Sequence, residues 1–160
     1  MNWTSLYDMQ EQLDNYITEN HQLETSSLSE YKILALLVEI GELANETRCF
    51  KFWSTKSPSP KSTILEEYVD GLHFILSLGL DLNFRYKMAD LSREMQPTAA
   101  FLNVYSSTDH FKRKLDEESY IQLFADYLTL GRTLGFDENE IQQAYCEKNE
   151  VNFQRQDQGY

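Results

Sequence analysis

The chain of 160 residues carries 14 Lys and Arg against 26 Asp and Glu, a formal net charge of −12. A surface this acidic repels DNA, RNA and anionic lipid, so a nucleic-acid-binding role is not expected. Ten Tyr and nine Phe argue for a packed core rather than disorder, and no apolar run reaches the roughly 20 residues that span a bilayer.

The length suits a single domain over residues 1–160. Met1-Asn2-Trp3-Thr4 has neither the basic start nor the apolar segment of a signal peptide. Cys49 and Cys146 lack metal-site spacing. Free thiols and a cytoplasmic location are therefore expected.

Taken in order, Leu6, Met9, Leu13 and Ile17 recur at helical spacing and predict a first helix over 4–19, capped by Thr4 or Ser5. Gln10 and Asp14, four apart, share one of its faces. After a polar connection, Ser27-Leu-Ser-Glu30 reads as a capping box for a second helix over 28–48. The pattern then fails from Arg48 to Lys61, where aromatics, cations and Ser57-Pro-Ser-Pro60 predict a loop, read here as a flap over a bound ligand. Thr63-Ile-Leu-Glu66 reads as the capping box of a third helix that ends near Leu78, with Gly79 as its C-cap. Residues 80–97 are ambiguous. Helices over 98–114, 117–134 and 137–151 follow, with Gly135 between the last two and Asp137-Glu-Asn-Glu140 as a cap. Strand alternation is missing throughout, so the fold class is an all-α bundle of five to six helices.

The second helix holds the run Ile33 to Ala44, whose only ionisable residues are Glu39 and Glu42. Three apart, they lie on one helical face with Ala35 and Glu46. Such a pair marks either the wet side of a surface helix or a deliberate site, because buried carboxylates are costly unless paired or metal-bound. The third helix repeats the device in Glu67-Tyr-Val-Asp70. If the two helices are antiparallel neighbours, four hard oxygen donors converge, a set suited to Mg²⁺, with Mn²⁺ as the alternative. That chemistry is metal-assisted attack of water on a phosphoanhydride. A di-iron bundle needs two Glu-x-x-His pairs, whereas Asp70-Gly-Leu-His73 is single and begins with Asp. Near the C-terminus, Lys148, Asn152 and Arg155 fall along one helical edge. Lysine and arginine there suit phosphate oxygens, the guanidinium bidentately.

Glu39-x-x-Glu42, Glu67-x-x-Asp70 and Lys148-Asn149-x-x-Asn152-x-x-Arg155-Gln156-x-x-Gly159-Tyr160 together resemble the dimeric dUTPases. These belong to the all-α NTP pyrophosphatase superfamily that also holds the MazG-type enzymes. The resemblance runs from Gln10 to Tyr160. It implies Glu39, Glu42, Glu67 and Asp70 as metal ligands, with Glu39 as the catalytic carboxylate that orients or deprotonates water. It implies phosphate contacts from Lys51, Lys148 and Arg155, and nucleotide contacts from Gln10, Trp53, His73, Asn152 and Tyr160. Asp14, also matched to the nucleotide site, stands where several members have Asn. The implied reaction is hydrolysis of dUTP, and also dUDP, to dUMP by a homodimer. Two other readings are a MazG-like pyrophosphohydrolase of broader base preference and a non-catalytic bundle that binds a protein partner through its acidic surface.

Overall fold

A computed structural model of the chain describes residues 1–22, 28–88, 91 and 95–159. Among the described residues there are six helices and no strand: α1 (Trp3–His21), α2 (Ser29–Thr47), α3 (Lys61–Asp81), α4 (Pro97–Lys114), α5 (Glu117–Thr133) and α6 (Glu138–Asp157). The all-α expectation holds. Helix α3 is the hub, packing against α1, α2, α5 and α6, while α4 packs on α5 and α2. Its burial follows from composition, since Tyr68, Val69, Leu72, Ile75, Leu76 and Leu78 are all fully buried. Each such side chain contributes about 1.5–3 kcal/mol by leaving water.

Helices α3 and α5 are joined by a reciprocal tyrosine clasp. The Tyr68 hydroxyl donates to the Tyr127 carbonyl at 3.1 Å, and the Tyr127 hydroxyl donates to the Tyr68 carbonyl at 2.7 Å. The two rings stack with centroids 4.7 Å apart. The clasp closes only because the facing positions lack side chains. A Cβ on Gly71 would lie 2.1 Å from the Tyr127 hydroxyl, and one on Gly131 would lie 2.5 Å from that of Tyr68. Gly79 serves Tyr120 in the same way, at 2.2 Å.

That last contact corrects the expected end of the third helix. Gly79 is an interior residue that makes room for a ring, and α3 runs on to Asp81. Its start also differs. Pro60 is the N-cap and its carbonyl accepts from the Thr63 and Ile64 amides at 3.0 and 3.2 Å, so Thr63 lies inside the first turn. Glu66, the expected partner in that capping box, bonds Lys148 instead, at 2.8 Å. Helix α1 is capped by Asn2, whose side chain accepts from the Ser5 amide, rather than by Thr4 or Ser5. The expected Ser27 cap of α2 lies outside the described residues. The Asp137 capping box forms as read, with Glu140 returning a bond to the Asp137 amide.

Helix α6 outruns its expected end at 151 because its last turns pack on α1. The Phe153 and Tyr16 ring centroids lie 5.2 Å apart, the Tyr16 hydroxyl donates to Asp157, and His21 Nε2 is 2.9 Å from Gln156 Oε1. Residues 48–60 form a loop, as expected. Arg48 ties it internally, donating to the Lys56 carbonyl at 3.1 Å and to the Ser54 hydroxyl at 2.7 Å, while Ser59 bonds Glu46 on α2. Cys49 and Cys146 are free thiols.

Candidate active site

Helical phase brings three carboxylates together. Glu39 projects from α2, and Glu67 and Asp70 sit three apart on one face of α3, the helix against which α2 packs. One oxygen of each lies within 4.8 Å of the others. Burial, then the like charges of Asp70, Glu42 and Glu67, pushes the Glu39 carboxyl up to about 7. Burial and the neighbouring carboxylates raise Glu67 as well. Like charges held this close call for a cation, and three hard oxygens fit a divalent one. Glu42 is exposed and is not part of this trio, although its charge is felt by both Glu39 and Glu67.

Lys148 reaches the cluster from α6. Its Nζ lies 2.7 Å from Asp70 Oδ2 and 2.8 Å from Glu66 Oε1. Burial disfavours its charge, but the hydrogen bonds to Asp70 and Glu66 outweigh it and raise the ammonium overall. Asp70 itself is raised by burial, with Lys148 pulling the other way.

Beside the carboxylates opens a cavity of about 440 Å³ between α1, α2, α3 and α6. Glu39 and Asp70 line it together with Asn152 and Arg155, and Gln10, Asp14 and His73 line it too. These last three form one hydrogen-bonded chain. Gln10 Oε1 takes the Tyr145 hydroxyl at 2.6 Å and His73 Nδ1 at 2.7 Å, and Gln10 Nε2 donates to Asp14 Oδ1 at 2.8 Å. Since an amide oxygen only accepts, His73 carries its proton on Nδ1. Its Nε2 is left as a bare acceptor with no protein partner. Burial, followed by the Lys148 charge, pushes His73 down to about 3, so the ring stays neutral.

Two further sequence candidates stand apart from the cavity wall. Lys51 donates to Asn45 Oδ1 at 2.5 Å and lies over the Phe50 ring. Trp53 is 65% exposed, edge-to-face with Phe50 and Phe52. Tyr160 lies outside the described residues. Sequence reading passed over Lys32 and Ser77, which line the cavity. The signal was present in their spacing: Lys32 precedes Glu39, and Ser77 follows Asp70, by two helical turns on the same face.

A helical bundle that sets a carboxylate cluster at one side of a ligand-sized cleft, with Arg155 and Lys148 close by, defines an enzyme that works on a phosphorylated small molecule. The family model described as dUTPase matches residues 2–160. The chain belongs to this all-α dUTPase family, and its activity is that of a dUTP diphosphatase with a nucleotide substrate. A search of curated proteins finds no match. No helix among the described residues is long and apolar enough to cross a membrane.

Proposed function

We propose that the chain hydrolyses dUTP to dUMP and pyrophosphate, and dUDP to dUMP and phosphate, with Mg²⁺ as the ion held by Glu39, Glu67 and Asp70 and Mn²⁺ able to replace it. The supporting observation is the convergence of those three carboxylates within 4.8 Å in and beside the wall of the cavity. A divalent ion bound there supplies a water of lowered pKa and neutralises phosphate charge. Glu42, whose charge is felt by both Glu39 and Glu67, is the fourth carboxylate proposed for the ion. Glu39 is the carboxylate that orients or deprotonates the attacking water, and an ion held beside it would keep it ionised for that task. Lys148 and Arg155 stabilise charge on the phosphates, and Lys51 joins them from the loop. Gln10 and Asp14 are assigned to the base, Trp53 and His73 to positions near base and sugar, and Asn152 and Tyr160 to the rest of the nucleotide site.

The working form is a homodimer in the cytoplasm. Support for association comes from α2, where Tyr31, Leu34 and Val38 share one face and are 72%, 62% and 49% exposed. Tyr31 also lines the cavity, which supports a site adjoining that face.

Release of pyrophosphate from dUTP, dCTP, dTTP and UTP, compared side by side with Mg²⁺ and with EDTA, tests the reading. Mg²⁺-dependent turnover of dUTP far above the others is expected. Comparable turnover of dCTP or dTTP indicates a MazG-like enzyme of broad base preference, and no turnover of any nucleotide overturns the catalytic reading.

A further inference from the structure

The end of the cavity away from the carboxylate cluster is built around Lys32. On both walls the two ends are separated by the same interval: Lys32 to Glu39 on α2 and Asp70 to Ser77 on α3 each span seven residues, roughly 10 Å of helix. A nucleotide whose phosphates meet Glu39, Asp70 and Arg155 thus directs its base toward Lys32, Asp14 and Gln10.

The spare hydrogen-bonding capacity at that end can be counted. The Lys32 ammonium has three N–H groups and sits 2.8 and 2.7 Å from the two oxygens of Asp81, which leaves one donor. Its Nζ is also 3.8 Å from Asp14 Oδ2. The Asp14 carboxylate takes hydrogen bonds from Gln10 Nε2 at 2.8 Å and from the Ser77 hydroxyl at 2.6 Å, which leaves acceptor positions on both oxygens. The Gln10 amide is oriented by Asp14, whose carboxylate takes one of its N–H groups, so its oxygen faces Tyr145 and His73 and its second N–H is the third spare group. In order across the cavity wall the spare capacity is donor, acceptor, donor.

We infer that Lys32 is a specificity-determining residue, and that Lys32, Asp14 and Gln10 form a donor–acceptor–donor edge that reads the acceptor–donor–acceptor face of uracil. Uracil O4, N3–H and O2 meet the three groups in turn. Cytosine presents an amino group where Lys32 needs an acceptor and a bare nitrogen where Asp14 needs a donor. Both mismatches leave partly buried polar groups unpaired, the arrangement that gives large discrimination. Thymine has the same edge as uracil, so this device does not act against its methyl group. Asp81 is a positioning residue that holds the ammonium in place. The inference rests on the dUTP reading above.

The test is the ratio of kcat/KM for dUTP to that for dCTP, with dTTP as a third substrate, in wild type, Lys32→Met and Lys32→Arg. Lys32→Met is expected to lower the dUTP/dCTP ratio at least tenfold, chiefly through the KM for dUTP, while leaving the dUTP/dTTP ratio within threefold. Lys32→Arg, which keeps a donor, is expected to restore most of the dUTP/dCTP ratio. Equal losses on all three substrates mean that Lys32 only braces the helices and overturn the inference, as does an unchanged ratio. Far-UV circular dichroism and the thermal midpoint identify a misfolded Lys32→Met; in that case Asp81→Asn, which frees the ammonium, must lower the ratio instead. A wild type that hydrolyses dUTP and dCTP equally overturns the inference but leaves pyrophosphohydrolase activity standing.

Discussion

Lys148 Nζ lies 2.7 Å from Asp70 Oδ2, so a cation from the last helix sits against a carboxylate that belongs to the acidic trio. The Lys148 side chain is 8% exposed and that of Asp70 19%, which keeps water from screening the pair. Lys148→Met is expected to lower kcat by about 10²–10³, the usual loss for one charge-stabilising donor. It should also cost about 1–3 kcal/mol of stability, less than a fully buried pair, because its second partner Glu66 is 55% exposed. Since a divalent ion replaces the missing charge, Mg²⁺ should raise the thermal midpoint more in this variant than in wild type. Differential scanning fluorimetry with and without EDTA checks this.

Glu39 separates function from stability. Its carboxyl is raised from 4.5 to about 7, so the folded chain holds that proton more tightly than the unfolded one. Stability is therefore lost as pH climbs from about 4.5 through 7, and the full penalty is present above 7. Glu39→Gln removes it. The variant is expected to gain about 1–2 kcal/mol at pH 8 without metal, after allowance for solvent screening of a partly exposed group. No gain is expected near pH 4. Activity should fall by about 10²–10⁴. Urea melts at the two pH values, together with the pyrophosphate assay, decide the matter.

His73 has the opposite linkage. It is pushed from 6.5 to about 3 by burial, so between those values the unfolded chain binds a proton that the folded one does not. Stability from this group is complete above about 6.5 and is lost as the pH falls. His73→Asn should flatten the stability profile between pH 4 and 6 by up to about 1.4 kcal/mol per unit. Parallel slopes for variant and wild type would show that the ring is not kept neutral by the fold.

Trp53 offers an optical readout. It is 65% exposed, whereas Trp3 is packed edge-on against Phe124 and Tyr86. With Trp3→Phe as background, a non-hydrolysable dUTP analogue plus Mg²⁺ should shift the emission to the blue as the indole leaves water. An unmoved spectrum at saturating analogue would place Trp53 outside the bound complex.

The exposed face of α2 bears on assembly. Leu34, 62% exposed, should sit at the contact between copies. Leu34→Glu is expected to halve the mass measured by light scattering. A wild type that is already monomeric rules the contact out.

The helices and their charged pairs were legible because hydrophobic period and three-residue spacing are local properties of a chain. Glu39, Glu67 and Asp70 could be named for that reason, as could the Asp137 cap. Glu42 shows the limit: three residues from Glu39 places it on the same face, but only the tilt of α2 on α3 decides which of the two is turned inward. Gly79 was misread for a similar reason. Glycine at a helix end and glycine beneath a tyrosine ring look alike until Tyr120 arrives from α5. Lys32 was passed over because its partners Asp14 and Asp81 lie on other helices.

The tyrosine clasp has a bearing on how this chain can vary in length. Because Tyr68 needs the gap at Gly131 and Tyr127 needs the gap at Gly71, sliding either helix by one residue turns both rings away from their hollows at once. An insertion or deletion between Tyr68 and Gly71, or between Tyr127 and Gly131, is thereby strongly disfavoured, and the phase of Asp70 is protected along with that spacing. A change of length is borne more easily between the helices, where an added residue shifts no tooth of the gear.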